Sequence, residues 1–467
     1  MTHRISRRRA LQLGAAGSIG YLFTGPAVSV ARVVGANDKI RVAGIGVGGK
    51  GSSDIEQAGH VMTVVALCDI DTDRLDKRAT TWPSAQKFFD YRKLFDQMMK
   101  EIDAVTVSTA DHSHTLPSVI AMRAGKHVYC QKPLTHTVFE ARFMRETATK
   151  YKVCTQMGNQ GSAANGLRRG VELVRGGAIG EVKEAHVWTN RPAHYWKQSP
   201  DIVARPSDKP PVPKHVHWEE WIGPAPFRAY HRAYHPHDWR GYWDFGTGAL
   251  GDMACHTANL TFRSLKLDAP EAVIAEAAEI NPETYPAWAH ITYLFPARES
   301  LPACALHWYE GKKDGKRILP PEELLAKVLK PGEKLVDSGS ILVGSKGILF
   351  SPNDYGAQYR LTPEKDFEGI QTSKPEKAPE GTFVGEDGYQ KKEWADAIRA
   401  GKPTHAASNF DFAGRLTEAM LLGNIAVRFA GQKLAWDAAN LKFTNSEAAT
   451  KLVKTEYRQG WDILGTV

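Results

Sequence analysis

Residues 39–59 read KIRVAGIGVGGKGSSDIEQAG, and the fold follows from how this stretch divides. Ile40 to Ile45 is a short, mainly apolar run bounded by glycine, which predicts a buried parallel strand. Gly46-Val47-Gly48-Gly49-Lys50-Gly51 then spells G-x-G-x-x-G and leads into a helix. Gly44, Gly46 and Gly49 fit the same pattern in a competing register, but the later register keeps the whole strand ahead of its first glycine. There the glycines serve a tight turn, close approach of backbone to a pyrophosphate, and helix–strand contact.

Context strengthens the motif. VMTVVALCDID follows, a second β-rich run that reaches Asp69 23 residues after Gly46. A carboxylate at that place accepts both ribose hydroxyls of NAD and repels a 2′-phosphate, so NAD is the expected cofactor. Arg74 keeps NADP as the lesser candidate. A third strand, Ala104 to Ser108, ends at Thr109-Ala110-Asp111-His112, and a fourth, His127 to Cys130, ends at Gln131-Lys132-Pro133. Strands alternating with helices predict a doubly wound sheet with its ligand at the carboxyl ends of the strands. The expected class is α/β: a Rossmann dinucleotide-binding domain over 37–158, then an α+β domain over 159–467. Short connections among AVIAEAAEI, AWAHITYLF, CALHWYE and SILVGSKGILFS predict an open, mainly antiparallel sheet in that second domain. Two C-terminal helices, about 386–401 and 410–431, are expected to pack on it.

The 467 residues exceed one ordinary core, and 42% hydrophobic with 24% charged is a soluble globular composition. The net charge of +8 gives no basic stripe, so no nucleic-acid partner is expected. Residues 1–36 begin MTHRISRRRALQLGAAG and run through a glycine-interrupted, mildly apolar middle to small residues near Ala31. Ser6-Arg7-Arg8-Arg9 resembles a twin-arginine signal, with Ala10 and Gln12 departing from its usual Phe and Lys. That implies export to the periplasm of a chain already folded on its nucleotide, with no stable membrane span in the mature protein. The five cysteines show no paired spacing and read as structural thiols.

The stretch STADHSHTLPSVIAMRAGKHVYCQKPLTHT, with MGNQGS, GAIGEV, GTGALGDMACH and TEAMLLGNIAVRFAGQKLAWD, resembles the glucose–fructose oxidoreductase, inositol dehydrogenase and rhizopine-catabolism (Gfo/Idh/MocA) family. The resemblance implies cofactor contacts from Gly46, Gly48, Gly49, Lys50, Gly51, Asp69, Thr109, Asp111, His114, Gln131 and Asn159. It places Lys132, from a Glu-Lys-Pro motif, beside nicotinamide and the substrate hydroxyl, and matches Asp252 and His256 to the family's D-x-x-x-H. Two departures stand out: Gln131 replaces the Glu, and Ala110 replaces a Pro. Losing a carboxylate beside Lys132 removes a partner that would favour its charged form.

Oxidising a secondary alcohol needs a hydride acceptor, a base and a stabiliser of the developing alkoxide. Asp252 and His256, at i and i+4, share one helix face. His256 is the expected base, Asp252 fixes its tautomer or binds a neighbouring hydroxyl, and Lys132 donates to the reacting oxygen. The aromatic stretch between the domains offers Arg191, Tyr195, Trp196, His235 and Trp243 as carbohydrate contacts, against the alternative that they merely pack. Three H-x-H pairs, His112/His114, His215/His217 and His235/His237, lack matching ligands, and no metal is expected. The leading expectation is an exported NAD-dependent sugar, glycoside or polyol dehydrogenase, homo-oligomeric, with tightly bound cofactor. A redox-assisted glycosidase and a non-catalytic, nucleotide-loaded sugar-binding protein are the alternatives.

Overall fold

The computed structural model describes residues 39–370 and 385–462; the leader expected at 1–36 lies outside them. The first sheet contains β1 (Arg41–Ile45), β2 (Thr63–Cys68), β3 (Gln86–Phe88), β4 (Ala104–Val107), β5 (His127–Cys130) and β6 (Thr155–Met157). Its order is β3-β2-β1-β4-β5-β6, every pair parallel. Helices cover both faces, which is why β4 reads AVTV and is buried throughout. The order reverses between β1 and β4, so a crevice opens where their carboxyl ends diverge.

The second sheet has β7 (Val182–Trp188), β8 (Ala272–Ala277), β9 (Trp288–Phe295), β10 (Cys304–Lys313), β11 (Lys316–Arg317), β12 (Gly339–Gly344), β13 (Ile348–Ser351), β14 (Arg360–Thr362), β15 (Lys433–Asp437) and β16 (Lys442–Phe443). They run β14-β13-β12-β7-β10-β9-β8-β15-β16, with β11 beside β10. The β7–β10 pair is parallel and the others are antiparallel. β9 alternates strictly: Ala289, Ile291, Tyr293 and Phe295 face the core, while His290 and Thr292 are half-buried on the other side. Against the inner face lies the helix Gly248–Thr257, all ten of its residues buried. Its Gly, Ala and Cys content suits a helix squeezed between a sheet and the first domain.

The C-terminal helices divide differently from the expectation. Phe410–Ala426 touches the second sheet, where Tyr293 donates to Met420 O at 2.7 Å, and also the first domain, where Arg142 Nε donates to Glu418 at 2.8 Å. Gly385–Ala400 packs on the first sheet instead of the second: Trp394 donates to Cys154 O at 3.1 Å, and Lys391 Nζ to Asp54 Oδ1 at 2.9 Å. Its face of Trp394, Ala395, Ala397 and Ile398 completes the apolar layer over Val42, Val64 and Tyr129. All five cysteines are buried free thiols. Among the described residues no helix is long and apolar enough to cross a membrane.

Candidate active site

A cleft of about 520 Å³ lies at the carboxyl ends of β1, β2, β4 and β5, closed on its far side by Arg191, the segment around His235–Arg240, and Asp252 and His256. The near wall is the glycine loop. Gly46 has φ +75°, and a Cβ there would stand 2.6 Å from Ser108 O; a Cβ on Gly51 would collide with Gly46 O. Gly46 therefore makes the turn and Gly51 the helix–strand contact, the register preferred from the sequence. Helix Lys50–Gly59 starts from Gly49 without a side-chain cap, so its first amides are available to an anion. Asp69 Oδ2 accepts from Val47 N at 2.8 Å and Gly48 N at 2.9 Å, and Oδ1 from Asp71 N at 3.0 Å. Burial raises the Asp69 carboxyl against the pull of those amides. A tight glycine turn, uncapped helix amides and an adjoining carboxylate suit a dinucleotide.

At the other end, Lys132 follows β5 and its Nζ donates to Asp252 Oδ1 at 2.6 Å and to Asp252 O at 2.9 Å. Arg240 Nε lies 3.5 Å and Arg191 Nε 4.0 Å from the same carboxylate. Burial alone would raise the Asp252 carboxyl, but Lys132, Arg240 and His256 together hold it well below the usual range. Burial, then Lys132, push His256 down to about 3 despite Asp252, so its imidazole is neutral. Asp252 pairs with Lys132 rather than fixing the His256 tautomer. Among the described residues neither His256 ring nitrogen has a protein hydrogen-bond partner, and its Nδ1 is buried.

Gln131 turns away from this group. Its Nε2 donates to Asp54 Oδ2 at 2.8 Å, and its Oε1 accepts from Lys132 N at 3.2 Å. Asp54 is fully buried and also receives Lys50, Lys391 and Ser108. The carboxylate missing at 131 therefore leaves Lys132 with a partner, since Asp252 supplies one.

Of the residues singled out from sequence, Gly46, Gly48, Gly49, Lys50, Asp69, Thr109, Asp111, Gln131, Lys132, Arg191, His235, Asp252 and His256 line the cleft. Others stand behind it. Gly51 is buried; His114 is held by Pro133 O at 2.8 Å and Thr109 O at 3.1 Å. Asn159 donates to Cys255 O at 3.0 Å, bracing the helix that carries His256. Three of the aromatic residues do not line this cleft. Tyr195 stacks behind Arg191, 3.2 Å from its guanidinium carbon; Trp196 is buried on Gln198; Trp243 donates to Asn281 O and lines a separate cavity of about 330 Å³. The two tryptophans fill space where loops cross, which is what large rings do when their polar edge finds a local acceptor.

Sequence reasoning passed over Arg240, Trp239, Gln160 and Tyr355, which do line the cleft. Arg240 stood within the aromatic stretch between the domains; Tyr355 belongs to a loop without a motif. Asp71, Asp73 and His215 approach one another closely enough for a cation, but Asp71 already caps the helix Thr72–Ala79.

A "Glycosyl hydrolase family 109 protein" of Solibacter usitatus is 29% identical over 195 residues, 38% of this chain and 44% of that protein. An "Inositol 2-dehydrogenase" of Salmonella typhimurium is 28% identical over 150 residues, 30% of this chain and 43% of that one. The chain spans less than half the length of these curated relatives. In fold it is similar to an inositol dehydrogenase homolog from Azotobacter vinelandii solved with NADH and myo-inositol, with a TM-score of 0.55 and 16% identity over 85% of this chain and 98% of that one. Models of an oxidoreductase family match residues 40–159, as its NAD-binding Rossmann fold, and 174–299, as its C-terminal alpha/beta domain. Together they cover more than half of the sequence, and the chain belongs to the Gfo/Idh/MocA oxidoreductase family.

Proposed function

We propose that the protein is an NAD-dependent dehydrogenase acting on a secondary hydroxyl of a sugar, glycoside or polyol. The observation that carries this is the meeting of Lys132, Asp252 and His256 in the cleft that the glycine loop also lines. Bound there, NAD supplies the hydride acceptor. Lys132, held by Asp252, directs an ammonium donor at the reacting oxygen and stabilises the charge that grows on it. His256 is neutral and, among the described residues, its ring nitrogens have no protein hydrogen-bond partner, so one is open to the hydroxyl proton. Asp69, already engaged by loop amides, favours NAD over NADP.

The reading includes export by the twin-arginine route with the nucleotide retained, and assembly into a homo-oligomer. Fractionating cells that express the chain with Arg7→Lys and Arg8→Lys tests export; light scattering tests assembly. The central experiment releases any nucleotide from the purified protein, then follows nicotinamide absorbance while sugars, glycosides and polyols are added. A changing band supports the dehydrogenase; a band inert to the whole panel removes it. Similarity to a family 109 glycosyl hydrolase favours a second reading, glycoside cleavage by transient oxidation. Aglycone release without net nicotinamide change distinguishes it.

A further inference from the structure

Three side-chain cations meet at the substrate end of the cleft. Lys132, Arg191 and Arg240 stand 2.6, 4.0 and 3.5 Å from the Asp252 carboxylate. Their side chains are 17%, 14% and 26% exposed, so water screens them only in part. Asp111 also faces this group, its Oδ2 accepting from both Thr247 N and Thr247 Oγ1. Glu220 and Asp354 line the same cleft, while His256 and His235 are held neutral by burial.

The guanidinium groups are placed and incompletely used. Arg191 lies over the Tyr195 ring and Arg240 over Trp239, 4.3 Å from its centroid, which fixes both planes. Arg191 Nη1 donates to Asn190 Oδ1 at 2.7 Å and Arg240 Nη1 to His237 O at 3.4 Å. Among the described residues neither Nη2 has a protein acceptor. Two forked donors with spare N–H groups match one carboxylate better than a ring of hydroxyls.

We infer that the preferred substrate is an acidic sugar, a uronate or aldonate, whose carboxylate seats between Arg191 and Arg240 while a secondary hydroxyl faces Lys132 and His256. The inference rests on the dehydrogenase reading but is separable from it, because it concerns binding. The test is calorimetry on the full-length, NAD-loaded protein with matched pairs: glucuronate and glucose, galacturonate and galactose, gluconate and glucitol. The acidic member of at least one pair should bind about tenfold or more tightly, with that preference shrinking as salt rises. Arg240→Gln, and independently Arg191→Gln, should weaken the acid about tenfold more than they weaken its neutral partner. Equal or tighter binding of every neutral member, or no binding by any acid, overturns the inference. Nicotinamide absorbance recorded on the same samples separates the two failures. An acid that binds without changing the band sinks the dehydrogenase and keeps the anion seat; a neutral sugar that binds as tightly and turns over does the reverse.

Discussion

On the β1 side of the cleft the recognising surface is backbone: glycine turns, uncapped amides and a carboxylate that ties them down. On the facing side it is side chains: Asp252 and His256 from a buried helix, Arg191 from a loop and Arg240 from the short 3-10 helix Asp238–Gly241. A backbone surface is intolerant of any added atom but indifferent to which neighbours surround it. A side-chain surface tolerates a change of volume but depends on charge. Substitutions on the two walls should therefore fail in different ways.

The largest effect belongs to the backbone wall. Gly51→Val forces a side chain into Gly46 O, so the turn and helix must separate. Nucleotide binding should fall more than about 100-fold, read by fluorescence titration, with a lowered melting temperature. Gly49→Ala is the control: its Cβ meets nothing within 4 Å, but its φ is +51°. Only conformational strain of about 1–3 kcal/mol is then expected. Equal damage from both substitutions would refute the assignment of the contact to Gly51.

Next comes the charge-dependent wall. Lys132→Met should lower kcat/KM by about 10²- to 10⁴-fold while nucleotide affinity stays nearly constant. Asp252→Asn should cost a similar amount, because it leaves Lys132, Arg191 and Arg240 facing one another without their shared carboxylate. If either variant loses nucleotide binding in step with turnover, the division between the walls is wrong.

The same contrast explains what the sequence disclosed. The glycine wall was legible down to its register because steric demands fall at fixed spacing along one short segment, and β1 to β5 were legible as apolar runs. Lys132, Asp252 and His256 came from resemblance, and all three line the cleft. Arg240 and Tyr355 were not legible, since loops carry no period and any of the surrounding aromatic and basic residues had an equal claim. Trp196 and Trp243 had the composition of a sugar site but found backbone or amide acceptors elsewhere. The first C-terminal helix was misplaced because an apolar face does not name its partner; buried Asp54, reaching for Lys391, decided that.

A smaller effect tests the electrostatics of the buried helix. His256 is held at about 3 in the folded chain against an ordinary value of 6.5. Between those values the unfolded chain binds the extra proton, so this contribution to stability is full above about pH 6.5 and is lost as pH falls toward 3. Denaturant midpoints should decline over that window, and His256→Asn should flatten the decline by up to about 1.4 kcal/mol per pH unit. Turnover should show no acid limb near 6.5 attributable to this residue.

The smallest catalytic effects are expected from the aromatic residues that the structure sets behind the wall. Trp243 packs on Tyr285 at a tilt of 40° with ring centroids 3.8 Å apart, and the Arg428 guanidinium carbon lies 4.5 Å from its ring centroid. Trp243→Ala should therefore destabilise the fold by about 3 kcal/mol yet leave kcat/KM of the folded protein within about threefold. Tyr195→Ala should be milder in stability, because the ring is 38% exposed. Its effect on the substrate should be selective, since what it removes is the platform under Arg191 rather than a contact in the cleft. A preference for acidic over neutral sugars should narrow in that variant while turnover of the neutral sugar holds. If both sugars suffer alike, Tyr195 touches substrate directly and the cleft extends beyond the residues that line it.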